Sequence, residues 1–494
     1  MFDRRILLPM FSVSLCPLRF SVFVTSAILV LGMLTGGPAW AAPQGPEQTS
    51  TLDDQESISI TIYNSNLGLV KDIRDLRLSR GVLDLKFQGV AAKIDPTSVH
   101  IRSLTHPGHI AVLEQNFEFD LISPAKLMEK YLGRDVELVM WKNKKEVVVP
   151  ARLIGDQGGY VYEMDGKIAV NPSARVLLPE LPEGLISKPT LVWMLDNDRR
   201  EHKVEASYLT GGISWKCNYV LVLSTDDKQI DLSGWVTINN ESGATYPDAS
   251  IKLVAGDVHR AGPERGLYPA SRPYEVSAKR SAAQFVEKAF FEYHLYTLQR
   301  KSTIKDNQTK QISLLSAENA SVEKKYVYQA SVPYWFAAMS GPDKDTKVGV
   351  FLAFENSKEN NLGMPLPKGI VRVYKRDHDE DLQFIGEDRI DHTPEDETIR
   401  VKMGDAFDVI GERVQTRFKV LQSGHLYESS YKVELRNHKE EPITVSVVEV
   451  IPSDWEVVEK SHDFEKESSN RIRFDVPVDR KGTAELTYTV RVKY

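Results

Sequence analysis

Ser57-Ile58-Ser59-Ile60-Thr61-Ile62-Tyr63 carries an apolar residue at every second position, and Leu486-Thr487-Tyr488-Thr489-Val490-Arg491-Val492 repeats the pattern at the far end of the chain. Successive side chains of a strand point to opposite faces, so this period gathers the apolar groups on one face. Similar runs lie between them, at Leu83-Asp84-Leu85-Lys86-Phe87 and Leu191-Val192-Trp193-Met194-Leu195. The pattern predicts a mainly β chain of several β-sandwich or barrel modules with a few short helices.

The N-terminus reads as an export signal. Arg4, Arg5 and Arg19 flank an apolar stretch over 21–34, and Ala39 and Ala41 supply the small residues a signal peptidase reads. Cleavage is expected after Ala41, making 1–41 a signal peptide rather than a retained anchor. Its loss removes three arginines and one aspartate, taking the formal charge from −7 to −9. A mildly acidic chain without a basic block has no electrostatic footprint for nucleic acid. No later apolar run is long enough to span a bilayer as a helix. Of the two cysteines only Cys217 follows the expected cleavage point, so an intramolecular disulfide is excluded and stability must come from core burial.

Residues 42–56 are polar, with Pro43, Gly45 and Pro46, and read as a linker. An N-terminal β-rich region is expected over 57–190. Within it Ser79-Arg80-Gly81 signals a hairpin, and Ser123 and Pro124 open a short helix that Gly133 can end. Short strands separated by turns, one of them Asp165-Gly166, suggest a small SH3-like barrel near 133–172. A central β domain is expected over 191–413, with an irregular insertion near 260–290. There Ala278, Ala282, Phe285 and Ala289 are spaced for one face of a helix. The last stretch, 414–494, has the size of an immunoglobulin-like sandwich.

One motif recurs. Ile238-Asn239-Asn240, Phe354-Glu355-Asn356 and Leu435-Arg436-Asn437 each end a strand with Asn. Each is followed by a polar loop holding Pro247, Pro365 or Pro442, and then by a strand at Ile251, Ile370 or Ile443. Strand, Asn, proline loop and strand together suggest a repeated hairpin.

Familiar reactive constellations are missing from the sequence: no paired histidines around a helical Glu, no zinc ribbon, no phosphate loop, no dinucleotide fingerprint and no nucleophile elbow. Cys217 has no histidine within ten residues and reads as a buried, inert thiol. Asp377, Asp379 and Asp381, with His378 and Glu380 between them, have the spacing of a calcium loop's first ligands. However, Leu382 stands where such a loop needs Gly, and Asp388 where it needs Glu, so a solvated hairpin tip is the simpler reading. Tyr208, Trp215, Tyr219 and Trp235 fall on successive strands, where they either fill the core or line a stacking surface. His294 reads as a strand residue on a polar face. No catalytic or metal residue and no cofactor are assigned.

Ser207-Tyr208-Leu209-Thr210-Gly211-Gly212-Ile213-Ser214-Trp215-Lys216-Cys217-Asn218-Tyr219 resembles the exported bacterial family known as domain of unknown function 4139, whose members include mucoidy inhibitor-like proteins. Phe384-Ile385-Gly386-Glu387 and Gly404-Asp405-Ala406-Phe407-Asp408 extend the likeness over about 190–494. Upstream, 89–99 and 112–117 look like the segment that commonly precedes it. The resemblance implies a β-rich envelope protein, periplasmic or surface-associated, and no catalytic residue. The long coiled-coil insertion of some members has no counterpart here, because sustained heptads are missing. The function expected is a non-enzymatic β-domain protein that binds an envelope protein or glycan. The alternative is an envelope hydrolase with carboxylates from separate strands; a cation-stabilised adhesive module rests on 377–381 alone.

Overall fold

The computed structural model describes residues 45–494 except 143, 183, 257, 259–283, 292, 330–334, 340, 344, 378, 380, 494 and the side chain of 290. The expected signal peptide, its cleavage point at Ala41 and the first residues of the expected linker lie outside the described residues. Strands dominate, and the described α-helix is Pro124–Lys130, whose cap Ser123 accepts from the Lys126 N–H at 3.2 Å.

Four units of five strands share one plan. The first comprises Gln55–Tyr63, Leu67–Arg77, Gly81–Gln88, Thr190–Asn197 and Glu201–Thr210. The second comprises Ile213–Leu223, Gln229–Asn240, Tyr246–Ala255, Tyr293–Leu298 with Ser302–Ile304, and Gln308–Ser321. The third comprises Glu323–Gln329, Lys347–Glu355, Gly369–Arg376, Leu382–Ile390 and the first part of Thr398–Gln422. The rest of Thr398–Gln422 opens the fourth, followed by Leu426–Asn437, Ile443–Val450, Arg471–Val478 and Thr483–Lys493. In every unit the second strand pairs antiparallel with the first and the fifth, and the third pairs antiparallel with the fourth. The units interlock. The third strand of units two, three and four lies parallel to the first strand of the preceding unit.

This plan corrects several expectations. Glu47–Ser50, inside the expected linker, is a strand parallel to 84–87. Ser79-Arg80-Gly81 does not close a hairpin: Leu67–Arg77 and Gly81–Gln88 belong to different sheets. The Asn–Pro motif likewise marks a crossing, because the strands on either side of each copy do not pair with each other. Phe285 and Ala289, expected on a helix, lie on strand Phe285–Phe290, while Ala278 and Ala282 lie outside the described residues. Thr398–Gln422 runs through residue 414, so the C-terminal sheets reach back beyond 414–494 to Glu323–Gln329.

The expected SH3-like barrel is an open sheet. Its order is Lys167–Val170, Val161–Met164, Lys145–Gly155, Asp135–Lys142, Arg175–Leu177, and among the described residues its two outer strands do not pair. Asp165 and Gly166 have φ of 48° and 70°, the left-handed pair of a two-residue hairpin turn. The sheet is inserted between the third and fourth strands of the first unit. It has its own core of Met128, Tyr131, Val136, Leu138, Ala151, Leu153 and Tyr162. Two larger cores serve the array, one running from Ile58 to Val401 and the other from Tyr326 to Val492.

Candidate functional site

Three of the four singled-out aromatics are core residues. Tyr208, Trp215 and Tyr219 are buried, and each polar atom is satisfied. The Tyr208 hydroxyl accepts from the Ala91 N–H, Trp215 Nε1 donates to the Val254 carbonyl at 3.2 Å, and the Tyr219 hydroxyl donates to the Pro367 carbonyl at 2.7 Å. Trp235 differs, with 40% of its surface exposed. It falls out of phase with buried Ile230, Leu232, Val236 and Ile238, so its own strand turns it outward. These rings therefore do not form one stacking row. Cys217 is buried with them, and burial pushes its thiol up to about 12, which keeps it protonated at neutral pH. His294 sits half-exposed on its strand with Nδ1 2.7 Å from Glu287.

The acidic run forms a turn. The Asp377 carboxylate accepts from the backbone N–H groups of Asp379 and Asp381 and from Gln383 Nε2. Asp379 and Asp381 are exposed, Asp388 accepts from the Lys402 N–H at 2.7 Å, and His378 and Glu380 lie outside the described residues. Backbone N–H groups thus take up lone pairs of Asp377 and Asp388 that a calcium loop would offer its ion.

Carboxylates from separate elements line a groove of about 620 Å³ where the third and fourth units abut the turn at 224–228, and those of Asp227, Glu323, Glu467 and Asp475 are each paired with cations. Asp227 is clamped there by Lys324 and Lys375; burial raises its carboxyl, but the two ammonium groups outweigh it and hold it below its usual value. Glu467 pairs with Arg471 and Arg473, and Asp475 with Arg473. Glu323 pairs with Lys325.

The inserted sheet has a second apolar face. Leu138 and Met140 point to its core, so the alternation puts Val139, which is buried, and Trp141, which is exposed, on the opposite face. Cross-strand register adds Val148 opposite Val139, Ile168 opposite Glu163 and Val170 opposite Val161. Trp141 is 73% exposed and Val170 67%, with Val148, Ile168 and Leu177 also exposed. They share one face in two groups: Trp141 and Val148 toward one end of their strands, Ile168 and Val170 on the outer strand toward the other, with Glu163 and Arg152 between Ile168 and the strand of Trp141. Large exposed apolar side chains on one face of a sheet are candidates for a contact site. Sequence reading saw this strand but not Trp141. Its signal was the same phase rule that places Trp235, since Trp141 is out of step with Val136, Leu138 and Met140.

A family model described as Domain of unknown function (DUF4139) matches residues 204–494. The chain belongs to this family. No match was found among the curated proteins. The DUF4139 match begins inside the fifth strand of the first unit and takes in all of units two, three and four. The inserted sheet and its apolar face lie upstream of it. Among the described residues no helix is long and apolar enough to cross a membrane, and no three His, Cys, Asp or Glu residues are grouped to hold a metal ion.

Within the DUF4139 region a buried ion pair joins the sheets of the last unit. Arg413 Nε lies 3.0 Å from Glu449, and the Tyr488 hydroxyl donates to the same carboxylate. Burial pushes the Glu449 carboxyl up, and Arg413 and Tyr488 oppose the rise without cancelling it. The guanidinium lies over the Tyr431 ring at 4.0 Å and near Trp335. All five residues are buried, so the cluster holds the two faces of the sandwich together rather than facing a substrate.

Proposed function

We propose that this DUF4139 protein is exported, is not an enzyme, and acts in the cell envelope by docking another protein on the outer face of its inserted sheet. The observation that carries the reading is the apolar face of Trp141, Val148, Ile168, Val170 and Leu177, raised on a core separate from the array. A face with one indole and several aliphatic side chains suits the apolar anchors of a protein better than sugar rings, which favour rows of aromatics. Charged Glu137, Arg152 and Glu163 share the face, with Arg152 and Glu163 between Ile168 and the strand of Trp141, so a docked protein would meet polar as well as apolar groups there. The export reading rests on the positive flank, apolar stretch and Ala39–Ala41 site at the N-terminus.

The groove near Asp227 weighs against the hydrolase alternative. A glycosidase general acid needs a carboxyl whose pKa is raised. Asp226 and Asp227 are both held down, Asp226 by the Ser224 hydroxyl and Asp227 by Lys324 and Lys375 acting against burial.

The test is capture from native envelope extract by the mature chain and by a Trp141→Ala, Ile168→Glu variant whose circular dichroism matches wild type. A defined protein should be recovered by wild type and lost at least about tenfold with the variant, since central aromatic anchors dominate such contacts. Recovery unchanged by the variant, or no recovery by either, contradicts the reading.

A further inference from the structure

The interlocking plan leaves one slot open. In units one to three the distal half of the first strand, next to its turn, is covered on its outer edge by a parallel strand. Residues 59–63 are covered by 250–254, 217–223 by 369–375, and 326–329 by 445–448. In the fourth unit the equivalent residues are 416–422. Their inner edge pairs with Leu426–Asn437. The outer edge of the same strand pairs with Lys347–Glu355 only as far as Ile410, and Pro342 bridges to Val414. Met339 and Ala337 reach only the Gln415 side chain, and beyond that, among the described residues, no strand pairs with the outer edge of 416–422.

A second observation falls at the same place. Phe418 and Val420 lie opposite Ser429 and Tyr427 on the face that is buried in the preceding units. There the equivalent positions, such as Tyr219 and Leu221, are almost wholly enclosed, whereas Val420 is 53% exposed and neighbouring Leu421 is also exposed. Phe418 stacks on Tyr427 at 6.1 Å and Phe336 packs edge-on against the same ring at 5.4 Å, so the apolar floor of a slot is built while Val420 stays half-exposed beside it.

We propose that 416–422 accepts an extended segment of a partner protein as an added parallel strand. The three internal occupants define what fits. They present Ile251 and Leu253, Val371 and Val373, or Val445 and Val447 to the core, that is, a β-branched or aliphatic residue at every second position. The solvent face of the acceptor carries Arg417 and Lys419, so acidic residues between the apolar ones complement it. Backbone pairing supplies affinity, and the alternate side chains supply selection. The two cations also discourage indiscriminate edge pairing. This slot lies in the DUF4139 region and is separate from the Trp141 face, so either can fail without the other.

Hydrogen exchange of the mature chain, read by mass spectrometry, tests it. The probe is a synthetic decapeptide with valine at alternate positions and glutamate or threonine between, compared with a scrambled peptide and with one N-methylated at alternate residues. Exchange over 416–422 should slow at least about tenfold with the first peptide alone. A Lys419→Pro variant that retains the wild-type circular dichroism should lose much of that protection, while the N-methylated peptide reads the same backbone pairing in the unaltered protein. No slowing, equal slowing by the scrambled or N-methylated peptide, or slowing confined to other strands overturns the proposal. So does protection of 416–422 in peptide-free protein that grows with protein concentration, which would assign the edge to a second copy.

Discussion

At the scale of single residues, the polar groups inside this molecule are mostly spoken for. Arg74 is fully buried beneath the strand expected to be a linker. It donates to Asp72, the Ser50 hydroxyl and the carbonyls of Thr51 and Gln88, and its guanidinium lies 3.5 Å from the Phe87 ring centroid. Glu47-Gln48-Thr49-Ser50 has no apolar alternation, so nothing local marks it as a strand. What holds it is a backbone ladder and an arginine far away in sequence. His202 offers a pH readout. It is buried, with Nδ1 2.9 Å from the Ser103 hydroxyl and Nε2 2.9 Å from Asn197 Oδ1. Burial lowers its pKa first, His106 and His109 add to the effect, and the Arg199 carbonyl and Asp198 oppose it. The unfolded chain therefore takes up a proton that the folded chain resists. The contribution is complete above the unfolded value of about 6.5 and is lost as pH falls below it. Urea unfolding of wild type and His202→Gln at pH 7.5 and 5.5 checks this: wild type should lose more stability on acidification than the variant. An equal loss would contradict it.

At the scale of elements, the Asn–Pro motif was legible and its meaning was not. Asn240 Nδ2 donates to the carbonyls of Ala244 and Lys305, Asn356 Nδ2 to those of Met364 and Pro394, and Asn437 Nδ2 to those of Glu441 and Asp479. In each unit one buried amide ties the loop after the second strand to the loop before the fifth. Asn197 does the reverse in the first unit, reaching Ser79 from the end of the fourth strand. A chain that crosses between sheets leaves carbonyls without a ladder, and the amide satisfies them. Alternation along a strand reports which face is buried but not which strand lies alongside, and so a sheet crossing read as a hairpin. By contrast, Ser123-Pro124 and Asp165-Gly166 act through local backbone geometry, and both were readable. Replacing Asn437 with Asp keeps the shape but sets a carboxylate against two carbonyls. The variant should lose about 3 kcal/mol of stability, and Asn437→Ala about 2, because the carbonyls stay buried and unpaired. Denaturant midpoints measure both; losses under about 0.5 kcal/mol would show that the tie is dispensable.

At the scale of the whole molecule, the array explains why domain boundaries were hard to read. Units two, three and four each send their third strand into the sheet of the unit before, so linkers between self-contained modules are not to be expected. The 25-residue strand Thr398–Gln422 serves two units at once. The DUF4139 region was recognisable from sequence because its strands carry specific blocks, such as 207–219. The candidate docking face was missed because it belongs to the inserted sheet upstream, where aromatic and aliphatic residues fill both faces and no reactive residue type stands out. Of the two proposed contacts, the 416–422 edge depends on the interlocked array, whereas the Trp141 face stands on the inserted sheet's own core. The most direct test takes residues 414–494, the stretch that sequence alone marks as a complete sandwich. Ile443–Val450 there rests on Glu323–Gln329, which the fragment lacks. The amide nitrogen–proton spectrum of the isotope-labelled fragment should show the narrow dispersion and fast exchange of an unfolded chain, while residues 45–494 retain protection over 443–450. A well-dispersed fragment with native protection of that strand would contradict the account.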